Sequence, residues 1–301
     1  MKTVLLGTKE IRDSFRFMDP YEQMDLLGLP GAFALGTTEE KGEKDVPAGL
    51  CVVTQGEDHL VITWLYTRPE YRGTGIGSHL MELVFEEAKA RDLSDVMVRI
   101  SGEYLTGGLL WDPESFFDND VFTREEEEAS EWHTTMERIS KFLIGEEEEN
   151  EKAANDPRVI TLSELSRTER REAVLSLKAQ FRLRFPENFQ ELMNAAEGKL
   201  SFFLRKGKSY EGVFLSLRTE KVLYPFLMLT AKEEDEETLS RALMYAAEEE
   251  LRAKDRIRIR CERTRSEQLL RKLRLPADVY AVASFTATTD FYDEQKAMMI
   301  D

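Results

Sequence analysis

The sequence lacks several features that would assign it to a class of protein at once. Its 301 residues include two cysteines, Cys51 and Cys261, which lie far apart and offer neither a disulfide framework nor a metal-binding spacing. No apolar run approaches the roughly 18–20 residues that cross a bilayer. The apolar stretch after Met1 is too short for a signal peptide. These absences predict a cytoplasmic protein with no membrane partner.

Histidine is also scarce. His59, His79 and His133 are the three in the sequence, and none has a second histidine or a cysteine at the spacing of metal ligands. We therefore expect no bound metal.

Positive charge is scarce in the first half of the chain. Residues 1–150 contain 14 Lys+Arg and 32 Asp+Glu, a net charge of −18, whereas residues 151–301 contain 27 and 26, a net charge of +1. Nucleic-acid binding needs clustered Lys and Arg to neutralise phosphates, so this composition argues against it. The carboxylates either keep the surface solvated or attract a cationic partner.

The order of elements indicates an internal repeat. The pattern of strand, amphipathic helix and strand at 61–100 returns at 222–260, about 160 residues later. The acidic run Glu146–Glu149, followed by Asn155-Asp156-Pro157, is typical of a surface connection or, alternatively, of a charged helix cap. We therefore predict two α/β domains, residues 1–144 and 157–301, joined by an acidic linker at 145–156. Residues 279–286 are predicted to be the closing strand of the second domain.

One segment carries a motif with a clear chemical use. A β-branched and aromatic strand at 61–67 leads into Arg-x-x-Gly-x-Gly, with Arg72, Gly75 and Gly77, and then into a helix. Glycines let backbone N–H groups converge on a ligand, and the helix start adds unpaired donors, which together favour a phosphate or pyrophosphate. The spacing does not fit the Rossmann fingerprint, and the Gly-Lys-Ser/Thr of a P-loop does not follow these glycines.

The segment Leu65–Met81 resembles the acetyl-CoA motif of the GCN5-related N-acetyltransferases (GNAT family). The resemblance implies two tandem acyl-CoA N-acyltransferase folds, each a mixed, splayed sheet flanked by helices. It also implies acetyl-CoA as cosubstrate, with pantetheine along the strand at Leu65 and Thr67 and pyrophosphate on the following loop. The residues that it assigns to the cosubstrate are Leu65, Thr67, Arg72, Gly73, Thr74, Gly75, Ile76, Gly77 and Ser78.

The second copy departs from this motif. At an offset of 160 residues, Glu233, Asp235 and Glu237 stand where the first copy has its three glycines. Carboxylates there would repel a pyrophosphate and suit a solvated helix start instead. We therefore predict that the second domain is degenerate and does not bind CoA.

The catalytic residues stay unassigned. Many members of the family carry a glutamate on the strand before the loop, where this chain has Thr63, and a tyrosine on a later helix, where it has Phe117. Tyr104, Tyr66 and Asp118 are possible substitutes that the sequence does not rank. The resemblance implies transfer of an acetyl group to a small or peptidic amine, for which the acidic first half suggests a cationic acceptor. The alternative is a non-catalytic acyl-CoA-binding or interaction module.

The three tryptophans leave two interpretations open. Trp64, Trp111 and Trp132 either line an acceptor pocket or belong to the core, and scattered tryptophans more often belong to the core.

Overall fold

A computed structural model describes residues 1–41, 44–105, 117, 121–125, 129–142, 146–261, 264–290 and 292. The chain forms two compact units, Met1–Glu128 with Val282–Asp301, and Ala129–Ala281. Each unit is a mixed sheet flanked by helices, which confirms the predicted α/β class and the tandem arrangement. Within the described part of the chain, no helix has the length and apolar character needed to span a membrane.

The sheet of the first unit has the strand order β1-β2-β3-β4-β5-β13, and β6 pairs with β13. Strand β13 (Asp278–Thr288) comes from the end of the chain. Neighbouring strands are antiparallel except for β4 and β5, which are parallel and joined through helix α2. The elements of this part of the chain are β1 (Lys2–Leu5), α1 (Lys9–Phe15), β2 (Phe33–Lys41), β3 (Lys44–Gln55), β4 (His59–Thr67), α2 (Ile76–Ala90), β5 (Asp95–Ser101), α3 (Gly102–Leu105) and β6 (Thr123–Arg124), with 3₁₀ turns at Arg16–Met18, Gln23–Gly28 and Pro69–Tyr71.

The second unit repeats this plan with the strand order β7-β12-β11-β10-β9-β8. Its one parallel pair, β11 and β12, is joined through helix α8. The elements are β7 (Ala129–Thr135), α4 (Met136–Phe142), α5 (Glu147–Ala154), β8 (Val159–Thr161), α6 (Arg167–Phe181), α7 (Phe189–Ala195), β9 (Phe202–Lys206), β10 (Ser209–Arg218), β11 (Val222–Thr230), α8 (Glu233–Glu250), β12 (Arg256–Cys261) and α9 (Thr264–Lys272), with a 3₁₀ turn at Arg182–Arg184.

The two units exchange their last strands. Strand β7, from the first half of the chain, pairs with β12 of the second unit, and Thr135 lies opposite Arg256. Strand β13, from the second half, pairs with β5 of the first unit, and Thr288 lies opposite Asp95. The strand predicted at 279–286 therefore exists, but its assignment to the second domain was wrong. Its residues 282–288 complete the first sheet, where Phe285 is fully buried.

The segment predicted to be an acidic linker is largely a helix. Residues Glu147–Ala154 form α5, which packs in the second unit with Asn150 only 3% exposed. Arg241 of α8 holds this helix by ion pairs with Glu146 and Glu149, both 3.0 Å long. Because the half-buried Arg241 offsets part of the like charge, the acidic run is ordered as a helix. The second unit begins at residue 129 instead of 157.

Two apolar clusters cover the two faces of the first sheet. One joins β3, β4 and β5 to α2, and the other joins the opposite face to α1 and the turns that follow it. Gly49 of β3 lets α2 approach closely, because a Cβ at that position would lie 2.5 Å from Ile76 Cγ2. This close approach sets the start of α2 against the end of β4, where the candidate site lies.

Candidate functional site

The two central strands of the first unit separate at a β-bulge. Strands β4 and β5 pair in parallel from His59 and Asp95 to Ile62 and Val98, where their register ends. At the same level Thr63 is an extra residue in β4, because Val53 lies opposite Ile62 and Val52 lies opposite Trp64. A bulge increases local twist and turns a strand away from its neighbour. The ends of β4 and β5 therefore bound a wedge-shaped opening, which the family resemblance predicts.

The glycine loop closes one end of this opening. Gly73 and Gly75 have φ angles of +75° and +84°, a left-handed conformation that glycine adopts without steric cost. Gly75 is the N-cap of α2, and the first helical hydrogen bond runs from the His79 N–H to its carbonyl. The first N–H groups of a helix, here those from Ile76 to Ser78, have no partner within the helix, so this end suits an anion.

Side chains and backbone groups within the loop fix its shape. Thr74 Oγ1 donates to the Tyr71 carbonyl at 2.6 Å, and Arg72 Nε donates to the Thr67 carbonyl at 3.2 Å. Arg72 therefore organises the loop. The Thr67 carbonyl, one of the groups expected to face pantetheine, is also engaged by this bond.

A cavity of about 530 Å³ occupies the opening between the strands and the loop. Of the nine residues assigned to the cosubstrate, eight line it, and Thr74 braces the loop from outside the lining. The other lining residues are Pro20, Tyr21, Ile62, Thr63, Trp64, Tyr66, Tyr71, Val98, Arg99, Ile100 and Phe117.

Both positions that lack the family's usual catalytic groups face this cavity. Thr63 is 3% exposed, and its hydroxyl donates to the Val52 carbonyl at 3.3 Å. Phe117 is 4% exposed and packs edge-to-face on Phe122, with ring centroids 5.4 Å apart. Threonine does not ionise usefully and phenylalanine carries no proton to exchange, so neither supplies an acid or a base.

Of the three possible substitutes for these catalytic groups, Tyr66 lines the cavity. Asp118 and the side chain of Tyr104 lie outside the described residues. Sequence reasoning missed Tyr71, which is 8% exposed and also lines the cavity, because it reads as part of the loop and not of a helix or strand.

The tryptophans divide between the two interpretations. Trp64 lines the cavity, Trp132 is buried in the core of the second unit, and Trp111 lies outside the described residues. Pro20 and Tyr21 reach the same cavity from the turn between the two 3₁₀ helices that follow α1. No motif marks these two residues, and only the tertiary fold brings them to Trp64.

The second unit repeats the bulge but not the loop. Phe226 is an extra residue in β11, since Leu215 lies opposite Leu227 and Ser216 lies opposite Pro225. Its strand and helix are joined by only two residues, 231–232, where the first unit has eight, 68–75.

The acidic residues aligned with the glycines lie inside helix α8, so the 160-residue alignment fails locally. Glu233, Asp235 and Glu237 all fall in its first turns. Asp235 is 3% exposed and pairs with Arg158, its Oδ1 lying 3.0 Å from Nη1. The prediction of an acidic helix start is confirmed, whereas the loop expected there is absent.

Metal ligands are not clustered in the parts of the chain that the structure describes. There, no group of three or more His, Cys, Asp or Glu side chains is arranged to hold an ion.

Comparisons with known proteins agree with this geometry. Residues 8–101 match the model of the acetyltransferase (GNAT) family, so this part of the first unit is similar to GNAT domains. A tandem GNAT protein from the clavulanic acid biosynthesis pathway is similar over 96% of this chain and 98% of its own, with a TM-score of 0.57 and 12% identity. No curated protein matches the sequence.

Two further solved structures share the fold, with similar TM-scores and sequence identities. A GCN5-related N-acetyltransferase from Sphaerobacter thermophilus covers 85% of this chain and 80% of its own, with a TM-score of 0.56 and 11% identity. The N-myristoyltransferase of Saccharomyces cerevisiae, with bound myristoyl-CoA, covers 95% and 82%, with a TM-score of 0.56 and 11% identity. At these identities the likeness concerns the fold alone.

Proposed function

We propose that the first unit transfers the acetyl group of acetyl-CoA to the amine of a small or peptidic acceptor. The observation that carries this proposal is the cavity itself. It joins the opening at Ile62 and Val98 to the glycine loop and to the free N–H groups at the start of α2. One end of the cavity thus suits a pyrophosphate, and the other end is apolar enough for a thioester.

The residues present fit acetyl-CoA in a defined orientation. The N–H groups of residues 73–78 would hold the pyrophosphate, since the glycines leave open space in front of the backbone. Leu65, on the unpaired edge of β4, would accept the pantetheine amides in the manner of an added strand. Acetyl-CoA supplies an activated acyl group: a C–N bond forms as the C–S bond breaks, the amine gives up a proton, and the CoA sulfur gains one.

Positioning carries most of the catalysis in this proposal. Holding two reactants in line supplies a large part of a rate enhancement without any acid or base. Thr63 and Phe117 take no part in proton transfer. Tyr66 is the substitute that reaches the cavity, and it would serve as the proton donor to the leaving sulfur.

We also propose that each chain binds one acetyl-CoA. In the second unit, a two-residue connection replaces the glycine loop, and Asp235 and Glu236 are buried at the start of α8. Because the units exchange β7 and β13, cutting the chain near residue 157 removes a strand from each sheet. The stoichiometry must therefore be measured by calorimetry on the full chain, and two saturable sites would contradict it.

A turnover assay separates the enzyme from its alternative. The full chain is incubated with acetyl-CoA and a panel of amines, thiol release is followed with a thiol reagent, and acetylated products are identified by mass spectrometry. Amine-dependent thiol release with a matching product is the expected result. The alternative, a non-catalytic acyl-CoA-binding module, is favoured by Thr63 and Phe117. Saturable acetyl-CoA binding without turnover of any amine would establish it.

Replacing Phe117 and Tyr66, one at a time, tests which side chain exchanges protons with the substrates. Phe117→Tyr restores the family's usual hydroxyl, and we expect a change in kcat of less than tenfold, because the site works without it. A gain of 10²–10⁴-fold, the usual scale of a positioned acid, would show a decayed enzyme and favour the binding module. Tyr66→Phe is expected to lower kcat while leaving the affinity for acetyl-CoA unchanged.

A further inference from the structure

The cavity has an aromatic wall formed by Tyr21, Trp64 and Tyr66. The rings of Trp64 and Tyr66 are parallel within 4°, with centroids 6.1 Å apart, and Tyr21 meets Trp64 edge-on at 5.4 Å. All three side chains line the cavity and are half-buried. A flat apolar group can pack on such a wall, because aromatic pairs prefer stacked or edge-to-face contacts and bury large areas.

Hydrogen bonds with backbone groups hold the aromatic wall in place. Trp64 Nε1 donates to the Met18 carbonyl at 2.8 Å, which fixes the plane of the indole. The Asp19 carboxylate accepts the N–H groups of Gln23 and Met24 at 2.8 and 2.7 Å, which fixes the turn that carries Tyr21. Asp19 is 2% exposed, and its burial raises its pKa although both N–H bonds act in the opposite direction. The wall is therefore preformed, and binding need not order it.

The wall lies on the side of the sheet away from α2. Leu65 packs with the α2 cluster, whereas Trp64 and Tyr66 pack with the cluster of α1. On β5, Val98 and Ile100 belong to the α2 cluster, so alternation along the strand turns Arg99 toward the wall. The acyl donor and the aromatic wall thus approach the opening from different sides.

The charges that line the cavity are positive. Arg72 and Arg99 are its two lining cations, and no Asp or Glu occurs among the lining residues in the described part of the chain. Arg99 also takes part in another interaction within the chain. A guanidinium has five N–H donors, so an engaged arginine can still bind a carboxylate.

The local charge outweighs the net charge of the first half. Like charges at close range repel each other more strongly in a partly desolvated cavity than in bulk water, because the effective permittivity there is lower. Surface carboxylates farther away than about 8 Å are screened at physiological ionic strength. An acceptor with a second positive charge near Arg99 would therefore be repelled, even though the acidic surface attracts cations from a distance.

We propose that the acceptor is a monoamine with an aromatic or flat apolar body and no second positive charge, with or without a carboxylate. This inference rests on the proposed function and names its substrate class. It replaces the cationic acceptor that the net charge suggested. The amine would face the thioester, the apolar body would lie on Tyr21, Trp64 and Tyr66, and a carboxylate would meet Arg99.

Calorimetry on the full chain saturated with CoA tests this proposal with four probes: phenylethylamine, phenylalanine, spermidine and choline. We expect phenylethylamine and phenylalanine to bind at least tenfold more tightly than spermidine or choline. Turnover with acetyl-CoA should follow the same order among the three amines that can be acetylated. Tighter binding of spermidine or choline, or no binding of either aromatic amine, would overturn the inference.

Matched variants connect the preference to the residues. Tyr66→Leu should lower the affinity for phenylethylamine about tenfold, whereas the control Phe17→Leu, an exposed aromatic outside the cavity, should not. Arg99→Gln should weaken phenylalanine about tenfold and leave phenylethylamine unchanged, with Arg12→Gln on α1 as the charge control. Because Tyr66 also packs on Trp64, thermal unfolding confirms that the variant is folded, and Arg99→Gln gives an independent readout.

The outcomes distinguish the two proposals. If acetyl-CoA does not bind the full chain, the proposed function fails and this inference fails with it. If acetyl-CoA binds and is turned over with spermidine but not with aromatic amines, the function stands and the inference is refuted. Equal affinities of the wild type and of Tyr66→Leu and Arg99→Gln for every probe would also refute it.

Discussion

Gly75, at the start of α2, provides the sharpest test of the site, because the backbone strain of a substitution there can be separated from its steric effect on the cavity. Gly75 has φ +84°, and a Cβ there would meet no atom within 4 Å. Alanine would thus cost only the left-handed strain, about 1 kcal/mol. Gly207, in the hairpin between β9 and β10, has φ +61° and equally open space. Gly207→Ala is therefore a control with the same strain and no cavity.

We expect Gly75→Ala and Gly207→Ala to lower the melting temperature alike, by about 2–4 °C for 1 kcal/mol. Calorimetry with acetyl-CoA should then separate them. Gly75→Ala places a methyl group where the pyrophosphate would approach the backbone, so binding weakens, whereas Gly207→Ala binds as the wild type does.

A second pair of variants, Gly75→Glu and Gly75→Gln, tests the effect of charge separately from the effect of side-chain volume. Gly75→Glu sets a carboxylate against the pyrophosphate, and at 4 Å with an effective permittivity of 20 the repulsion is about 4 kcal/mol per charge pair. That corresponds to about a thousandfold loss of affinity beyond the loss in Gly75→Gln, which has nearly the same volume. Equal affinities of the Glu and Gln variants would refute an anion at this end of the cavity. Unchanged binding in all three Gly75 variants would refute the site.

Further predictions concern packing, the bulge and pH. Gly49→Ala should destabilise the first unit by about 1–3 kcal/mol in chemical unfolding, because its Cβ overlaps α2; Gly7→Ala, in open space, should change nothing. Thr63→Val should retain the shape of the pH–rate profile and lower kcat less than tenfold, which steady-state kinetics between pH 6 and 10 would check. The hydrogen bond from Arg158 lowers the pKa of Asp156, so its contribution is present above the unfolded pKa and is lost as the pH falls through the folded value. Asp156→Asn should therefore destabilise the protein by up to about 1 kcal/mol at pH 7 and by less at pH 3, as measured by urea unfolding at both values.

The parts of the fold that local sequence encodes were predicted well. The loop from Arg72 to Ser78 lies where its glycines placed it, because glycine spacing and the periodicity of α2 act over a few residues. The repeat was found for the same reason, since strand and helix patterns recur along the chain. The bulge at Thr63 was not predicted, because an extra residue in a strand is defined only by its partner strand.

Features that depend on distant partners could not be read from the sequence. The run Glu146–Glu149 reads as a linker until Arg241, more than 90 residues away, neutralises part of it. Tyr21 reads as a turn residue, and only the tertiary fold shows that it meets Trp64. Alternation identifies β7 and β13 as strands, but it carries no information on which sheet each one joins.

The exchanged strands determine when the first unit can be completed during synthesis. Ser101 of β5 pairs with Val282, which the ribosome adds about 180 residues later, or roughly 10–40 s at 5–20 residues per second. Throughout that interval the outer edge of β5 is open to pairing with other nascent chains.

The strand that emerges first, β7, is also the nearer competitor for that edge. Closing the loop of about 28 residues from Ser101 to β7 has an entropic free-energy cost about 1.6 kcal/mol lower than closing the loop to β13. The native pairing must overcome this difference through side chains, by burying Phe285 on the first sheet and Trp132 in the core of the second. A chain arrested before residue 282 would therefore carry an intact glycine loop on an incomplete sheet, and acetyl-CoA binding would mature only after the second half of the protein has been made.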